Sequence, residues 1–364
     1  MRILQICSAR ELGGGERHVA DLSNGLARRG HHVCAALIPS SPLLGELSVP
    51  RQNILELPMR NSLNVRSALK LARFARENQI EIIHAHVARD YPLAALVAKR
   101  AGGVPLVLTR HVLFPLKKIH RLTLRSVARI IAVSQAVADG LLAQGIFSED
   151  KIVLIHNGIV IDRFAGVRTA RRQGGSRLQV GTIGHLAPIK GQEDFIRAAA
   201  VVCAQRDDVD FIIAGEDKSR TGEHRRSLEM LIDDLGLEHR IQMVGWINDI
   251  AKLLPTFDLF VSPSRSEPFG LAIIEAMAAG VPVISTESEG AREIIESEKS
   301  CRLVPIGDVE ALAKAICELL DDPREREKLS GNARQVVSER FSLERMTDET
   351  EQVYRQAASL APSI

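Results

Sequence analysis

Short apolar runs recur along the chain. Each is followed by a polar or Gly-rich turn and then by a segment whose apolar positions repeat at helical spacing. Residues 2–8 read as the first strand, and an amphipathic helix follows over about 17–29, with Gly30 past its end. Further strands are predicted at 32–38, 80–85, 105–109, 130–133 and 151–155. Between them lie helices at 65–77, 91–101 and, capped by Ser134, up to about 143. The alternation then restarts. Strands are predicted at 178–183, 211–214, 241–244, 259–261 and 281–284. Helices are predicted at 192–206, 219–235, 250–254, 270–279, from 289, at 309–320 and 324–339, and over the terminal 341–360. Strand–helix repetition on this scale predicts an α/β chain of two Rossmann-like, doubly wound domains facing across a cleft. The polar, Gly-containing run 168–177 is the expected linker, giving domains 1–168 and 169–341, with 342–364 crossing back to the first.

At 364 residues, 45% apolar and 25% charged, the composition is that of a globular chain of two domains. No apolar run reaches the length of a membrane span. The first residues lack the apolar core and small-residue cleavage site of a signal peptide, so a cytoplasmic protein is expected. The five cysteines are scattered and show no C-x-x-C, which predicts reduced thiols rather than disulfides or metal ligands. The net charge of +2 hides an asymmetry: residues 1–165 hold 22 Lys+Arg against 12 Asp+Glu, and the remainder 25 against 33. A basic half joined to an acidic half suggests that one half meets an anionic surface or substrate.

The basic character is concentrated. No Asp or Glu occurs from Tyr91 to Ala138. Within that stretch, Leu116, Ile119, Leu122 and Val127 alternate with Lys117, Lys118, Arg121 and Arg125 at helical spacing. This predicts a helix lying on an anionic membrane surface, with a plain solvated basic face as the other account. Nucleic acid is not expected, because basic and aromatic residues are not interleaved.

Candidate chemistry centres on 262–285, SPSRSEPFGLAIIEAMAAGVPVIS. It reads as the end of a strand, a polar loop, a helix and a second strand. Open parallel sheets bind ligands at that carboxyl end. Glu267 lies in the loop and Glu275 in the helix. If all eight steps between them were helical they would stand roughly 12 Å apart. That suits a ligand with polar groups at both ends and a phosphate between, facing the amides of Phe269, Gly270 and Leu271. An exposed loop glutamate and a helix-surface glutamate are the alternative. The apolar Ile273, Ile274 and Met277 around Glu275 count against simple solvation. Elsewhere, Gly13 to Glu16 follow the first strand as a phosphate cradle or a tight turn, without the G-x-G-x-x-G spacing of a dinucleotide site. His84 and His86 share a face by alternation. No third metal ligand is evident, and a structural role is expected for them.

The whole 262–285 stretch resembles the glutamate-x7-glutamate segment of retaining glycosyltransferases of family 4, which have the GT-B fold. Gly14, Gly15 and Glu16 match the family's GG-x-E segment, which sits against the donor phosphates. His111, just past a strand, resembles the histidine that reaches the donor sugar. Asn157-Gly158 with Asp162 is similar to the end of the family's first domain, at altered spacing. In the loop 184–191, Lys190 matches the lysine that holds the diphosphate. His185 stands where an arginine is usual, and a histidine is a weaker, pH-sensitive donor. Trp246 falls where backbone often frames the nucleotide base, and core packing is its other reading.

The resemblance implies transfer of a sugar from a nucleotide-diphosphate donor, with retention and without a metal or cofactor. Glu275 would take the ribose hydroxyls. Glu267 and the Phe269–Leu271 amides would take the sugar, and Lys190, His185 and Gly15 the diphosphate. With no obvious nucleophilic carboxylate, front-face displacement is expected. The acceptor expected from the basic half is a lipid-linked or lipopolysaccharide-type glycan, met by a protein peripheral to the inner face of the cytoplasmic membrane. The alternatives are a nucleotide-sugar 2-epimerase on the same scaffold, which needs no acceptor, and a non-catalytic nucleotide-sugar-binding protein.

Overall fold

The computed structural model describes residues 1–59, 64–164, 177–295 and 299–360. The expected linker, 168–177, lies outside the described residues except for Arg177. The chain divides into two compact units, Met1–Ile159 with Ser342–Ile364, and Val160–Phe341.

The first unit is built on a parallel sheet of β1 (Arg2–Cys7), β2 (His32–Leu37), β3 (Ile54–Glu56), β4 (Ile82–Ala85), β5 (Leu106–Arg110), β6 (Val127–Ala132) and β7 (Ile152–Leu154). Their order is β3-β2-β1-β4-β5-β6-β7. β1 pairs with both β2 and β4, so the winding reverses at β1/β4 and leaves a crevice there at the strands' carboxyl ends. The central strands are buried on both faces, as a parallel sheet covered by helices requires. The terminal helix Leu343–Ser359 belongs to this unit. Its Tyr354 is fully buried beneath β1 and β4, with its hydroxyl 3.3 Å from Gln5 Nε2 and 2.6 Å from His84 Nδ1. Within two turns of Tyr354 on the same helix, Asp348 and Glu351 pair with Arg29.

The second unit repeats the plan with β8 (Leu178–Ile183), β9 (Val209–Ala214), β10 (Ile241–Gly245), β11 (Leu259–Ser262), β12 (Val283–Thr286) and β13 (Arg302–Val304). The order is β10-β9-β8-β11-β12-β13, so the switch falls between β8 and β11. In one apolar cluster of its core Phe195 and Phe211 meet edge to face, with Val261 and Ile316 among its members.

Three expectations need correction. The first helix is Gly14–Arg28, not 17–29: Gly14, Gly15 and Glu16 are its first turn rather than a loop ahead of it. The predicted surface helix is broken up. Only His120–Thr123 is helical, and β6 reaches back to Val127. Pro115 interrupts the segment, and Leu116, Leu124 and Val127 turn inward. Phe114, Ile119 and Leu122 stay exposed beside Lys117, Lys118, Arg121 and Arg125. The helix carrying Glu275 is Leu271–Ala279, with Gly270 as its N-cap, so about half the steps from Glu267 are loop and the all-helical spacing does not apply. The edge strands β3 and β13, three residues each, were not predicted; a run that short has no measurable period.

Candidate active site

In the second unit, the loops after β8 and β11 flank the switch point and are locked together. Gly191 sits at φ +68°, and a Cβ there would stand 2.0 Å from the Pro263 carbonyl oxygen, so the backbones touch only because the residue is glycine. The Arg265 amide donates to the Ile189 carbonyl at 2.8 Å. The Arg265 guanidinium grips Asp194 with two hydrogen bonds of 3.0 and 2.8 Å. This brings the Lys190 ammonium into an ion pair with Glu267. Both side chains keep some exposure, 25% and 16%, so the pair is reachable from solvent.

The Glu267 loop is pinned from behind. Its amide donates to Glu289 Oε2 at 3.3 Å, and its carbonyl accepts from Gly290 at 2.8 Å. Gly290 lacks a Cβ where one would fall 2.2 Å from the Phe269 carbonyl oxygen. The chain then turns through Gly270 into the helix Leu271–Ala279. The first-turn amides of that helix, at Leu271 and Ala272, precede its first internal bonds to the Gly270 carbonyl. Phe269 itself is buried and meets Phe341 edge to face, 5.6 Å between centroids. Glu275 is 7% exposed, so it is not a solvated helix-surface residue. Trp246, after β10, is half-buried rather than in the core. Its indole stacks on His185 with centroids 6.4 Å apart and 14° between planes, and Lys218 Nζ lies 5.4 Å from the ring. His185, Lys190, Trp246, Glu267 and Glu275 therefore all belong to one sheet's carboxyl-end loops or the helix that follows.

In the first unit, His111 follows β5 and its ring lies over the first helical turn, with Cγ 3.5 Å from where a Gly15 Cβ would be. Gly15 and His111 are thus brought together. Around them stand His18, His84 and His86. The His18–His111 and His84–His86 centroids are 4.7 and 4.1 Å apart. Burial among other imidazoles disfavours charge. His18 is pushed down to about 4, and His84, His86 and His111 fall well below the ordinary histidine range. Behind them, Ser8 at the end of β1 is fixed to Asp90, which accepts from its amide at 2.8 Å and its hydroxyl at 2.5 Å. Burial raises the Asp90 carboxyl to about 6, partly offset by those bonds. Lys117, Lys118, Arg121 and Arg125 lie in the exposed segment before β6. Burial likewise raises the Cys7 thiol to about 12 and Cys34 to about 11, and all five cysteines are free.

Two family models match. Residues 12–163 match "Glycosyltransferase Family 4", and residues 168–336 match "Glycosyl transferases group 1". The protein is a glycosyltransferase. This glycosyltransferase is 27% identical to an uncharacterised glycosyltransferase of Methanocaldococcus jannaschii, over 96% of each chain. It is 28% identical to the lipopolysaccharide core biosynthesis glycosyltransferase LpsE of Rhizobium meliloti, over 92% of this chain and 94% of that one. Its fold is similar to that of Anabaena HepE, solved with UDP and glucose, at a TM-score of 0.83 and 24% identity over 98% and 99% of the two chains. The architecture is the GT-B pair of Rossmann-like units.

Sequence reasoning missed several supports of the glycosyltransferase's loops: Arg265 with Asp194, Glu289 with Glu267, and Asp90 with Ser8. Nothing in their spacing marked them, since each pair is joined only by folding. His18 was findable. It lies three residues after Gly15, hence on the same helix face, once the glycines are placed inside the helix.

Proposed function

We propose that this glycosyltransferase takes a sugar from a nucleoside-diphosphate donor and passes it, with retention, to an acceptor hydroxyl. The observation that carries this is the Lys190–Glu267 pair at the β8/β11 switch point, followed at once by a helix N-terminus. A cation, a run of amides and a carboxylate at one loop cluster match a diphosphate joined to a polyol. Lys190 and the Leu271–Ala279 N-terminus meet the diphosphate, and His185 adds a ring N–H donor. Glu267 and the amides of Phe269, Gly270 and Leu271 bind the sugar hydroxyls. Buried Glu275 takes the ribose hydroxyls, and Trp246 with His185 stacks near the base. In the first unit, Gly14, Gly15 and Glu16 at a helix N-terminus suit a phosphate, and His111 beside Gly15 suits a sugar hydroxyl.

In the transfer, the bond from the anomeric carbon to the leaving phosphate oxygen breaks as the acceptor oxygen bonds to the same carbon on the same face. The acceptor proton passes to the leaving diphosphate. Lys190 and the helix amides stabilise the charge that builds there, which is the task of preorganised electrostatics. No step draws on a metal or cofactor. The exposed Phe114, Ile119 and Leu122 among Lys117, Lys118, Arg121 and Arg125 support an anionic lipid-linked acceptor, met at the inner face of the cytoplasmic membrane. The kinship with a lipopolysaccharide core enzyme supports an envelope glycan of that type.

The test is a thermal-shift panel of nucleotide sugars, in which a ligand at 100 times its dissociation constant adds about 2.7 kcal/mol of stability. Glu275→Ala is expected to abolish the donor-induced shift while keeping a cooperative melt. An unchanged shift would remove Glu275 from the site. Release of nucleoside diphosphate only in the presence of acceptor separates transfer from epimerisation and from simple binding.

A further inference from the structure

Four histidines converge in the first unit; the proposed transfer asks one ring nitrogen of His111, which leaves its other nitrogen, and asks nothing of the other three. His84 is committed: its Nδ1 is 2.6 Å from the Tyr354 hydroxyl and its Nε2 is 2.7 Å from Thr109 Oγ1. The other three come from different elements, His18 from the first helix, His86 from just past β4 and His111 from just past β5. Each offers one ring nitrogen to a common point, and those nitrogens all lie within 4.8 Å of one another. Their ring centroids are 4.7, 5.7 and 5.9 Å apart. Three imidazoles on one tetrahedral zinc, at about 2.0–2.1 Å from nitrogen to metal, have nitrogens about 3.4 Å apart and ring centres about 5 Å apart. The ring centres already stand near that spacing, and the nitrogens have at most about 1.4 Å to close.

A second observation concerns which nitrogens are left bare. Gln5 Nε2 donates to the Tyr354 oxygen at 3.3 Å, and Gln5 Oε1 stands 2.8 Å from His86 Nε2. An oxygen can only accept, so His86 carries its proton on Nε2 and presents an unprotonated Nδ1 to the cluster. Holding the far N–H of an imidazole on a carbonyl oxygen is how metal-ligating histidines are oriented. His86 Nδ1 and both nitrogens of His111 are buried with no hydrogen-bond partner among the described residues, and the buried His18 ring and Asn157 Oδ1 have none but each other. Asn157 stands beside His18. So many buried polar atoms without partners are costly unless something occupies the space between them.

We propose that His18, His86 and His111 form a three-nitrogen site for a divalent transition-metal ion of the zinc and cobalt(II) type, with the Asn157 carboxamide oxygen as the nearby fourth donor. Imidazole suits such ions, and three of them with one open or weakly filled position is an ordinary zinc set. The expectation of no third ligand beside His84 and His86 is thereby revised: the partners of His86 are His18 and His111, and His84 is not one of the set. The site rests on first-unit side chains alone and stands whether or not the donor assignment does.

The test uses the full chain, stripped with a chelator and titrated with cobalt(II). The expected result is the visible d–d absorption of a tetrahedral site, saturating at about one equivalent, bleached by zinc, and accompanied by a higher melting temperature. His18→Gln, His86→Gln and His111→Gln should each abolish the band, and His239→Gln, an exposed residue of the other unit, should keep it. Gln5→Ala leaves all three nitrogens in place and should weaken cobalt binding about ten- to a hundredfold. It also serves where a histidine variant fails to fold. A folded wild-type chain without the band would overturn the site and leave buried water as its occupant. So would a band that survives in the three histidine variants, or one indifferent to Gln5→Ala.

Discussion

At the scale of single residues, Lys190 and Asp90 separate function from stability. Lys190 is a partly exposed loop residue, so Lys190→Ala should shift the melt little. It should lower kcat about a hundred- to a thousandfold, as removal of one preorganised donor to a developing charge does; steady-state kinetics with saturating donor checks it. Asp90 has the opposite character. Its carboxyl is raised from 3.8 to about 6 by burial, so the folded chain keeps a proton there that the unfolded chain has released. Between those values stability therefore falls as pH rises, and above about 6 the loss is complete. Asp90→Asn should flatten that part of the curve, seen as denaturant midpoints that no longer drop across the window. Glu267, Glu275, Lys190 and His111 were legible as candidates because their neighbours in sequence form a recognisable loop-and-helix pattern. The pair that holds their loops together was not, because Arg265 and Asp194 are 71 residues apart and nothing local couples them.

At the scale of elements, two glycines with nearly the same backbone twist should respond differently. Gly236 sits at φ +66° with nothing within 4 Å of where a Cβ would stand. Gly236→Ala should cost about 1–2 kcal/mol, the left-handed penalty alone. Gly191, at φ +68°, also meets the Pro263 carbonyl at 2.0 Å, so Gly191→Ala must move the loop that carries Lys190. It should cost more than Gly236→Ala in denaturant unfolding and also abolish the donor-induced thermal shift. Most strands and long helices were legible because their apolar period extends over several residues. The segment before β6 was misread for a physical reason: its apolar residues do recur at helical spacing, but half of them are anchored in the core and half face solvent. Periodicity reports a repeat and cannot report which neighbours satisfy it.

At the scale of the whole molecule, the uneven distribution of charge predicts behaviour on membranes. The chain should bind vesicles rich in anionic lipid at low salt and release them as salt rises, since contacts to a charged surface are screened over about 10 Å at 0.1 M. Combined Lys117→Glu, Lys118→Glu, Arg121→Glu and Arg125→Glu should abolish that binding in a flotation assay without lowering the melting temperature. Retained binding would remove this patch from the acceptor side. Among the described residues no helix is long and apolar enough to cross a membrane.

The alternation of apolar runs with amphipathic segments determined, without the fold, that there would be two parallel sheets wrapped in helices. It also located the loops where chemistry would sit, because burying a strand on both faces leaves its carboxyl-end loop as the place for polar groups. Only the tertiary structure decided who meets whom there: Lys190 with Glu267, Trp246 with His185, and three histidines from three separate elements around one point. Such encounters depend on strand order and on close backbone approach, at Gly191 and Gly290 above all. Neither leaves a periodic trace along the chain.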